Sequence, residues 1–176
     1  MLGVVTTTSR RVRWAVGLLG LRADARVLEV GGGSGASARL VCEQLTTGHL
    51  LAVDRSAAAT ARISRSCTDL VEVGRLTVVT GELAGLDVPS RSLDIAFSVD
   101  VNVFWISDAA RELAVLRRVL APRGLLAVCY GSDGPKSSRL RERILDPVAA
   151  NVRRAGFVDV EQRLEGDGAG VVARNP

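Results

Sequence analysis

A cluster of glycines joins two segments of different character: Gly31, Gly32, Gly33 and Gly35 lie within five positions. Residues 26–30, just before them, are a β-branched run typical of a buried strand. After them an apolar stripe at three-to-four spacing predicts a helix: Ala38, Val41, Cys42 and Leu45. A strand that passes through glycines into a helix lets a ligand approach the backbone, and the first helical N–H groups point towards it. We therefore expect a nucleoside-like ligand at this junction.

Strand-like and helix-like segments alternate along nearly the whole chain. Further strand-like runs occur at residues 50–53, 76–79, 93–97 and 125–129. Two helical stripes lie between them: Ala59, Ile63 and Cys67, then Leu113, Leu116 and Leu120, the second ended by Pro122 and Gly124. Alternation of this kind with nearly all-apolar strands predicts an α/β fold, in which helices cover both faces of a parallel sheet.

The C-terminal part departs from this rhythm. A helix is predicted over residues 138–155, kinked or divided by Pro147. Residues 157–164 alternate like a half-exposed strand, and residues 171–174 return after a glycine-rich link. Because the link is short, these two strands must be antiparallel, so only the final strand of the sheet is reversed.

The start of the chain predicts a short helix whose Trp14, Leu18 and Leu21 cover the sheet edge. Ser9, Arg10 and Arg11 before an apolar stretch resemble a twin-arginine export signal, but the stretch is short and Arg13 interrupts it. We therefore expect a single cytoplasmic domain.

Composition excludes several classes of protein. The chain is 47% hydrophobic, which excludes disorder, and no apolar run approaches the roughly 20 residues of a membrane span. Three widely separated cysteines predict free thiols and no disulfide framework. The net charge of +4 is scattered arginine with only 3% aromatic residues, a pattern that disfavours a nucleic-acid partner.

The glycine spacing alone leaves the ligand open. Gly31-x-Gly33-x-x-Ala36 fits a loose dinucleotide fingerprint, with Asp54 near the position of a ribose-binding acid. However, Glu29 lies two residues before the first glycine, where a carboxylate suits a zwitterionic sulfonium ligand better than a pyrophosphate. An NAD-dependent oxidoreductase ranks last, because no lysine stands four residues after Tyr130.

Glu29-x-Gly31-x-Gly33-x-Gly35 resembles the first motif of class I S-adenosylmethionine-dependent methyltransferases. The segments LLAVDRS, LTVVTGEL, SLDIAFSVDVNVFW, LRRVLAPRGLLAVCYGS and AGFVDVEQ follow in that family's order across about residues 14–174, as in its small-molecule, quinone-biosynthesis-like branch. The resemblance implies a three-layer Rossmann-like fold with a seven-stranded, mostly parallel sheet whose last strand is antiparallel. It implies a lead-in helix over residues 1–25, a cofactor-binding half over 26–131, and a C-terminal helix and antiparallel strand pair over 132–176.

The resemblance also implies how S-adenosylmethionine binds and leaves as S-adenosylhomocysteine. Gly31, Gly33 and Gly35 would cradle its methionine part, Glu29 would organise the amino end, and Ser98 would border the same moiety.

The adenosine part would meet four further residues. Asp54 would accept both ribose hydroxyls, as a carboxylate can. Arg55 would lie against the adenine, Glu82 would accept its amino group, and the Leu83 N–H would serve a ring nitrogen.

The acceptor is expected beside the segment that follows the fourth strand. Asp100 is either a general base, needed only for a protonated acceptor, or a turn cap. Asn102 would position the acceptor, and Phe104 and Trp105 would line its pocket unless they belong to the core. Tyr130 is a weaker candidate.

No metal site is expected, since the cysteines lack ligand spacing and His49 lies away from the crevice. The short lead-in and the lack of an insertion after the fifth strand predict an open crevice, suited to a bulky acceptor or closed by a second subunit. The expected function is methyl transfer to a small or medium-sized organic acceptor; the alternatives are a catalytically silent cofactor-binding partner and the oxidoreductase.

Overall fold

The computed structural model describes residues 8–131, 140–166 and 168–176. Its helices are α1 Arg10–Gly17, α2 Ala36–Gln44, α3 Ala57–Ser66, α4 Thr68–Glu72, α5 Val103–Ile106, α6 Ala110–Val119 and α7 Asp146–Arg154, with a 3₁₀ turn at Leu83–Gly85 and a π-helical turn at Arg141–Leu145. Its strands are β1 Arg26–Val30, β2 His49–Asp54, β3 Leu76–Thr80, β4 Leu93–Val99, β5 Leu120–Gly131, β6 Val158–Glu165 and β7 Gly168–Arg174.

The seven strands form one sheet in the order β3-β2-β1-β4-β5-β7-β6. All neighbouring pairs from β3 to β5 are parallel, whereas β7 is antiparallel to both β5 and β6. The predicted fold class is therefore confirmed, including the reversed final strand. The strand order reverses direction at β1, so the carboxyl ends of β1 and β4 flank a crevice where ligands of open α/β sheets bind.

Two apolar clusters bury the two faces of this sheet. Successive β1 residues alternate between them: Val27 packs on the face covered by α1 to α4, and Leu28 on the face covered by α5 to α7. Because both faces are covered, the inner strands are almost wholly apolar, as the sequence predicts.

The structure corrects the predicted position of α1. Ala15 and Val16 of the helix and Leu19 just after it are buried, and the predicted Trp14, Leu18 and Leu21 pack half-buried against the same cluster. The helix packs on β5, β7 and α2, and therefore on the sheet interior instead of its edge.

The end of α6 is also corrected. The helix stops at Val119, and Leu120 already begins β5, paired with Leu93. Asn175 explains this boundary, because its side-chain amide donates to the carbonyl oxygens of Leu120 at 2.7 Å and Arg117 at 3.2 Å and so ends the helix.

The helix predicted over residues 138–155 is divided at the expected place. Within its described part, a π-helical turn leads into α7, and Pro147 lies in the first turn of α7. A proline is tolerated there because first-turn N–H groups have no intrahelical partner. Residues 138 and 139 lie outside the described part.

Within residues 8–131, 140–166 and 168–176, no helix is both long and apolar enough to cross a bilayer.

Candidate active site

The glycine loop between β1 and α2 adopts a conformation that requires glycine. Gly31, Gly33 and Gly35 have φ of +75°, +54° and +83°. A Cβ at Gly31 would lie 2.5 Å from Val101 Cγ2, and one at Gly35 would lie 2.6 Å from Ser66 Oγ. The loop therefore presents bare backbone at the carboxyl end of β1, as a close approach to a ligand needs.

Glu29 lies buried beneath this loop, with 1% of its surface exposed. The Ser37 hydroxyl donates to its Oε1, while its Oε2 is buried with no hydrogen-bond partner among the described residues. A Cβ at Gly32 would lie only 3.3 Å from this Oε2. Burial raises the pKa of Glu29 to about 7, although the Ser37 hydrogen bond opposes the rise and the nearby Asp54 charge adds to it.

Asp54 connects the end of β2 to the glycine loop. Its Oδ1 accepts the Ser56 N–H at 2.9 Å, and its Oδ2 accepts the Gly33 N–H at 3.4 Å. Its carbonyl oxygen accepts the Gly81 N–H at 3.0 Å, which brings the end of β3 alongside. Two of the residues predicted for the ribose and the methionine part are therefore in direct contact.

The remaining adenosine candidates lie at the rim. Arg55 is exposed at the start of the β2–α3 connection. Glu82 is exposed directly before the 3₁₀ turn, whereas the Leu83 side chain is buried. The Asp54–Gly81 hydrogen bond holds this turn close to the ribose candidate.

Ser98 supplies a second buried oxygen beside the loop. It is 2% exposed, it pairs with Val30 at the last position of β1, and its Oγ has no partner among the described residues. Buried polar atoms are nearly always hydrogen-bonded. Two such atoms, Glu29 Oε2 and Ser98 Oγ, beside a loop with bare backbone fit a zwitterionic ligand that brings its own donors.

Asp100 has the contacts of a turn cap. Its φ is +58°, its Oδ1 accepts the Gly131 N–H at 2.9 Å, and its Oδ2 lies 3.2 Å from Arg11 Nε. Its own N–H donates to the Cys129 carbonyl at 2.9 Å. Asp100 thus joins α1, β4 and β5, and the prediction that it acts as a general base stays a prediction.

The predicted acceptor residues are not all at the surface. Phe104 is 1% exposed within the core, where Asn151 donates to its carbonyl oxygen at 3.2 Å. Asn102 is exposed and accepts a hydrogen bond from the half-buried Trp105 indole at 3.3 Å. Of this group, Asn102 and Trp105 remain accessible candidates.

Tyr130 is also buried, at 4% exposure. Its hydroxyl donates to the Val101 carbonyl at 3.0 Å, and burial raises its pKa far above the ordinary range. The ring therefore holds the loop after β4 instead of facing an open pocket.

Residues with no predicted role prove important to the geometry. Ser37, Val101 and Arg11 contact Glu29, Gly31 and Asp100 respectively. Of these three, only Ser37 could have been predicted from the sequence. It lies in the first turn of the helix that follows the glycine loop, and this turn is close to the end of the strand that carries Glu29.

His49 and the cysteines make structural contacts. The His49 ring contacts the Gly74 carbonyl and the Thr77 hydroxyl, both at 3.0 Å. All three cysteines are buried and free, and burial raises the pKa of Cys42 to about 11 and that of Cys129 to about 12. Over the described ranges, no group of His, Cys, Asp or Glu side chains could hold a metal ion.

A mostly parallel seven-stranded sheet with a reversed β7, and a bare glycine loop above a buried carboxylate, define a Rossmann-like methyltransferase. The chain belongs to the family described as "Methyltransferase domain", whose pattern it matches over residues 27–124. Its fold is that of class I methyltransferases.

One curated relative is the malonyl-[acyl-carrier protein] O-methyltransferase of Halorhodospira halophila. It is 31% identical over 112 residues, which are 64% of this chain and 36% of that protein. The chain thus spans about a third of the length of this relative.

Solved structures show the same fold at low identity. A SAM-dependent methyltransferase from Aquifex aeolicus has a TM-score of 0.77 at 19% identity, over 94% of this chain and 89% of its own. A Haloferax volcanii putative methyltransferase, in complex with the Trm112 methyltransferase activator, has a TM-score of 0.76 at 17% identity, over 94% and 89%. Haemonchus contortus phosphoethanolamine N-methyltransferase 2, in complex with S-adenosylmethionine, has a TM-score of 0.69 at 20% identity, over 86% and 37%.

Proposed function

We propose that this methyltransferase uses S-adenosylmethionine as its cofactor and acts on a small or medium-sized organic acceptor. The cofactor site of this proposal lies between the carboxyl ends of β1, β2 and β4. The observation that carries the site assignment is a pair of buried oxygens beside the glycine loop, Glu29 Oε2 and Ser98 Oγ, which have no hydrogen-bond partner among the residues that the structure describes. When bound, S-adenosylmethionine supplies an activated methyl group whose sulfur leaves as a neutral thioether.

On this proposal, each end of the site has its own task. Gly31, Gly33 and Gly35 admit the methionine part, and Glu29 offers its free oxygen to the ammonium group. Asp54 keeps lone pairs for ribose hydroxyls, because each of its oxygens accepts only one backbone N–H. Glu82 and the Leu83 N–H recognise the adenine from the rim, with Arg55 beside it.

The contacts of Asp100 favour an acceptor that needs no deprotonation. Alignment of acceptor, methyl group and sulfur can supply roughly 7–11 kcal/mol, and a base is required only where the acceptor carries a proton. An organic carboxylate is already ionised at neutral pH, and the H. halophila relative is named for methylating malonyl-[acyl-carrier protein] on oxygen. Carboxylates, including a malonyl thioester, are therefore the first acceptors to test.

Calorimetric titration tests the cofactor site. We expect the wild-type protein to bind S-adenosylmethionine and S-adenosylhomocysteine with micromolar affinity and to give no heat with NAD. Asp54→Ala should weaken both adenosyl ligands at least about 100-fold, since two hydrogen bonds to a charged group are worth roughly 3–6 kcal/mol in total. Equal affinity in the variant would contradict the assignment of Asp54, and binding of NAD alone would favour the oxidoreductase.

Asp100→Asn separates a base from a cap. Asparagine keeps an oxygen for the Gly131 N–H and loses only the partly exposed charge pair with Arg11, which is worth about 0–1 kcal/mol. We expect methyl transfer to fall less than about tenfold, with an unchanged pH–rate profile. Loss of a general base would instead cost about 10²–10⁴-fold and remove a limb of that profile.

The catalytically silent alternative has its own signature. Cofactor binding with no methyl transfer to carboxylate, hydroxyl or amine acceptors, alone and with candidate partners, would favour it. The second subunit expected to close the crevice is a further proposal, and sedimentation of the protein with and without S-adenosylhomocysteine tests it.

A further inference from the structure

A cleft of about 740 Å³ opens at the end of the sheet opposite the glycine loop. It lies at the amino ends of β1, β4 and β5, between the segment that follows α1 and the outer strands β7 and β6. Asp94 lines this cleft near the start of β4. Asp100 directly follows the other end of β4, six residues and roughly 20 Å away. The cleft is therefore separate from the cofactor site.

The floor of the cleft is apolar. Leu19, Ile95 and Leu125 form it with at most 7% of their surfaces exposed, and the half-buried Leu18 and Val172 border it. Its volume falls within the roughly 300–1,000 Å³ of small-molecule sites. The apolar surface that a ligand can contact there comes mainly from the half-buried Leu18 and Val172, with the buried residues beneath them.

The walls carry more positive than negative charge. Four arginines and three carboxylates line the cleft: Arg22, Arg123, Arg163 and Arg174, with Asp94, Asp159 and Glu161. Each carboxylate already has a guanidinium partner in the structure.

Arg174 is the arginine with capacity to spare. Its Nη1 donates to the Arg123 carbonyl at 3.2 Å, and no carboxylate within the described ranges lies at ion-pair distance from it. A guanidinium has five N–H donors arranged to fit an oxyanion. The charged group of the cleft that is left without an ion-pair partner among the described residues is therefore the Arg174 guanidinium.

The mouth of the cleft is built from strained backbone. Arg123 and Asp159 have φ of +63° and +51°, and they are two of only five described non-glycine residues with positive φ. Their side chains form a 2.8 Å ion pair that joins the start of β5 to β6. Such conformations persist where the surrounding structure enforces them, and they cluster at binding sites.

We propose that this cleft is a second small-molecule site that binds an organic anion. The apolar body of the ligand lies on Leu18, Leu125 and Val172, and its carboxylate, sulfonate or phosphate group pairs with Arg174. This inference does not depend on the acceptor of the methyl transfer, because the two sites lie at opposite ends of the sheet.

The test uses 8-anilinonaphthalene-1-sulfonate, a flat apolar anion whose fluorescence rises on binding. We expect saturable binding to wild-type protein with one equivalent, unchanged by saturating S-adenosylhomocysteine. Arg174→Gln should weaken binding at least about tenfold, and Arg174→Lys should restore part of it, because lysine keeps the charge without the planar fork. Arg65→Gln, an equal loss of charge at an exposed position of α3, should bind like wild type.

A second measurement locates the probe independently of folding defects in a variant. In ¹⁵N–¹H spectra of the wild-type protein, the probe should shift the amides of residues 18–25 and 123–125 and leave those of residues 31–35 in place. Three results would overturn the proposal: displacement of the probe by S-adenosylhomocysteine, equal binding by Arg174→Gln, and shifts confined to the glycine loop.

Discussion

Glu29→Gln should weaken the binding of S-adenosylmethionine by roughly 10–100-fold, because it removes a charge-assisted hydrogen bond worth about 1.5–3 kcal/mol. The same substitution should make the free protein more stable above pH 7. Both effects have one cause: the Glu29 carboxylate is fully buried, and its Oε2 has no partner among the described residues until a ligand supplies one.

The pH dependence of the free energy of unfolding follows from the pKa of Glu29. Folding raises that pKa from 4.5 to about 7, so between these values the folded protein binds more protons than the unfolded chain. The stability that protonation gives is complete below pH 4.5 and is lost as the pH rises through 7. The loss is about 3.5 kcal/mol in total, since each pKa unit corresponds to about 1.4 kcal/mol.

Urea unfolding of wild type and Glu29→Gln at pH 5, 6, 7 and 8 measures this difference while other titrating groups cancel. We expect the advantage of the variant to grow with pH and to level off above pH 7. Glu72→Gln, an exposed position on α4, should show no such trend. If Glu29→Gln binds S-adenosylmethionine as tightly as the wild-type protein does, Glu29 does not contact the cofactor.

The part of the fold that followed from the sequence is the part governed by local pattern. The junction of β1 and α2 was predictable because glycines separate two different hydrophobic periods. The reversed β7 was predictable because a short glycine-rich link permits only an antiparallel return.

The errors occurred where distant residues decide the structure. Leu120 continues the apolar stripe of α6, but its pairing with Leu93 and the amide of Asn175 end the helix one residue earlier. Helix α1 was predicted at the sheet edge because β5 and β7, on which it packs, lie far along the chain. The periodicity of apolar residues in the sequence cannot predict contacts with residues so far along the chain.

The same limit applied to the candidate site. The spacing of Glu29, the glycines and Asp54 predicted residues that the structure brings together, because they lie at adjacent strand ends. Burial of Phe104 and Tyr130 could not be predicted, since an aromatic residue near the carboxyl end of a strand can face either a pocket or the core. The hydrogen bond from Tyr130 to Val101 explains why this one faces inward.

Gly31→Ala should damage both the stability of the protein and the cofactor site. Alanine at a φ of +75° is strained by about 1–2 kcal/mol, and its Cβ would lie 2.5 Å from Val101 Cγ2. Val101 cannot easily retreat, because the Tyr130 hydroxyl holds its carbonyl and the Asp100 N–H is bonded to Cys129. We expect a loss of about 2–4 kcal/mol in the free energy of unfolding, and cofactor binding weakened at least about tenfold.

Gly81→Ala is the matched control, because Gly81 has an ordinary φ and no atom lies within 4 Å of the position that the new methyl group would occupy. A double-mutant cycle with Val101→Ala separates the two costs. Removing Cγ2 leaves only the Val101 Cβ, 3.8 Å from the new methyl group, so the clash disappears while the backbone strain remains. The double variant should therefore be about 1–2 kcal/mol more stable than the sum of the single changes predicts. If the two single changes in the free energy of unfolding simply add, Val101 does not confine the glycine loop. The conformation of the loop around the methionine part of the cofactor would then depend on its backbone alone.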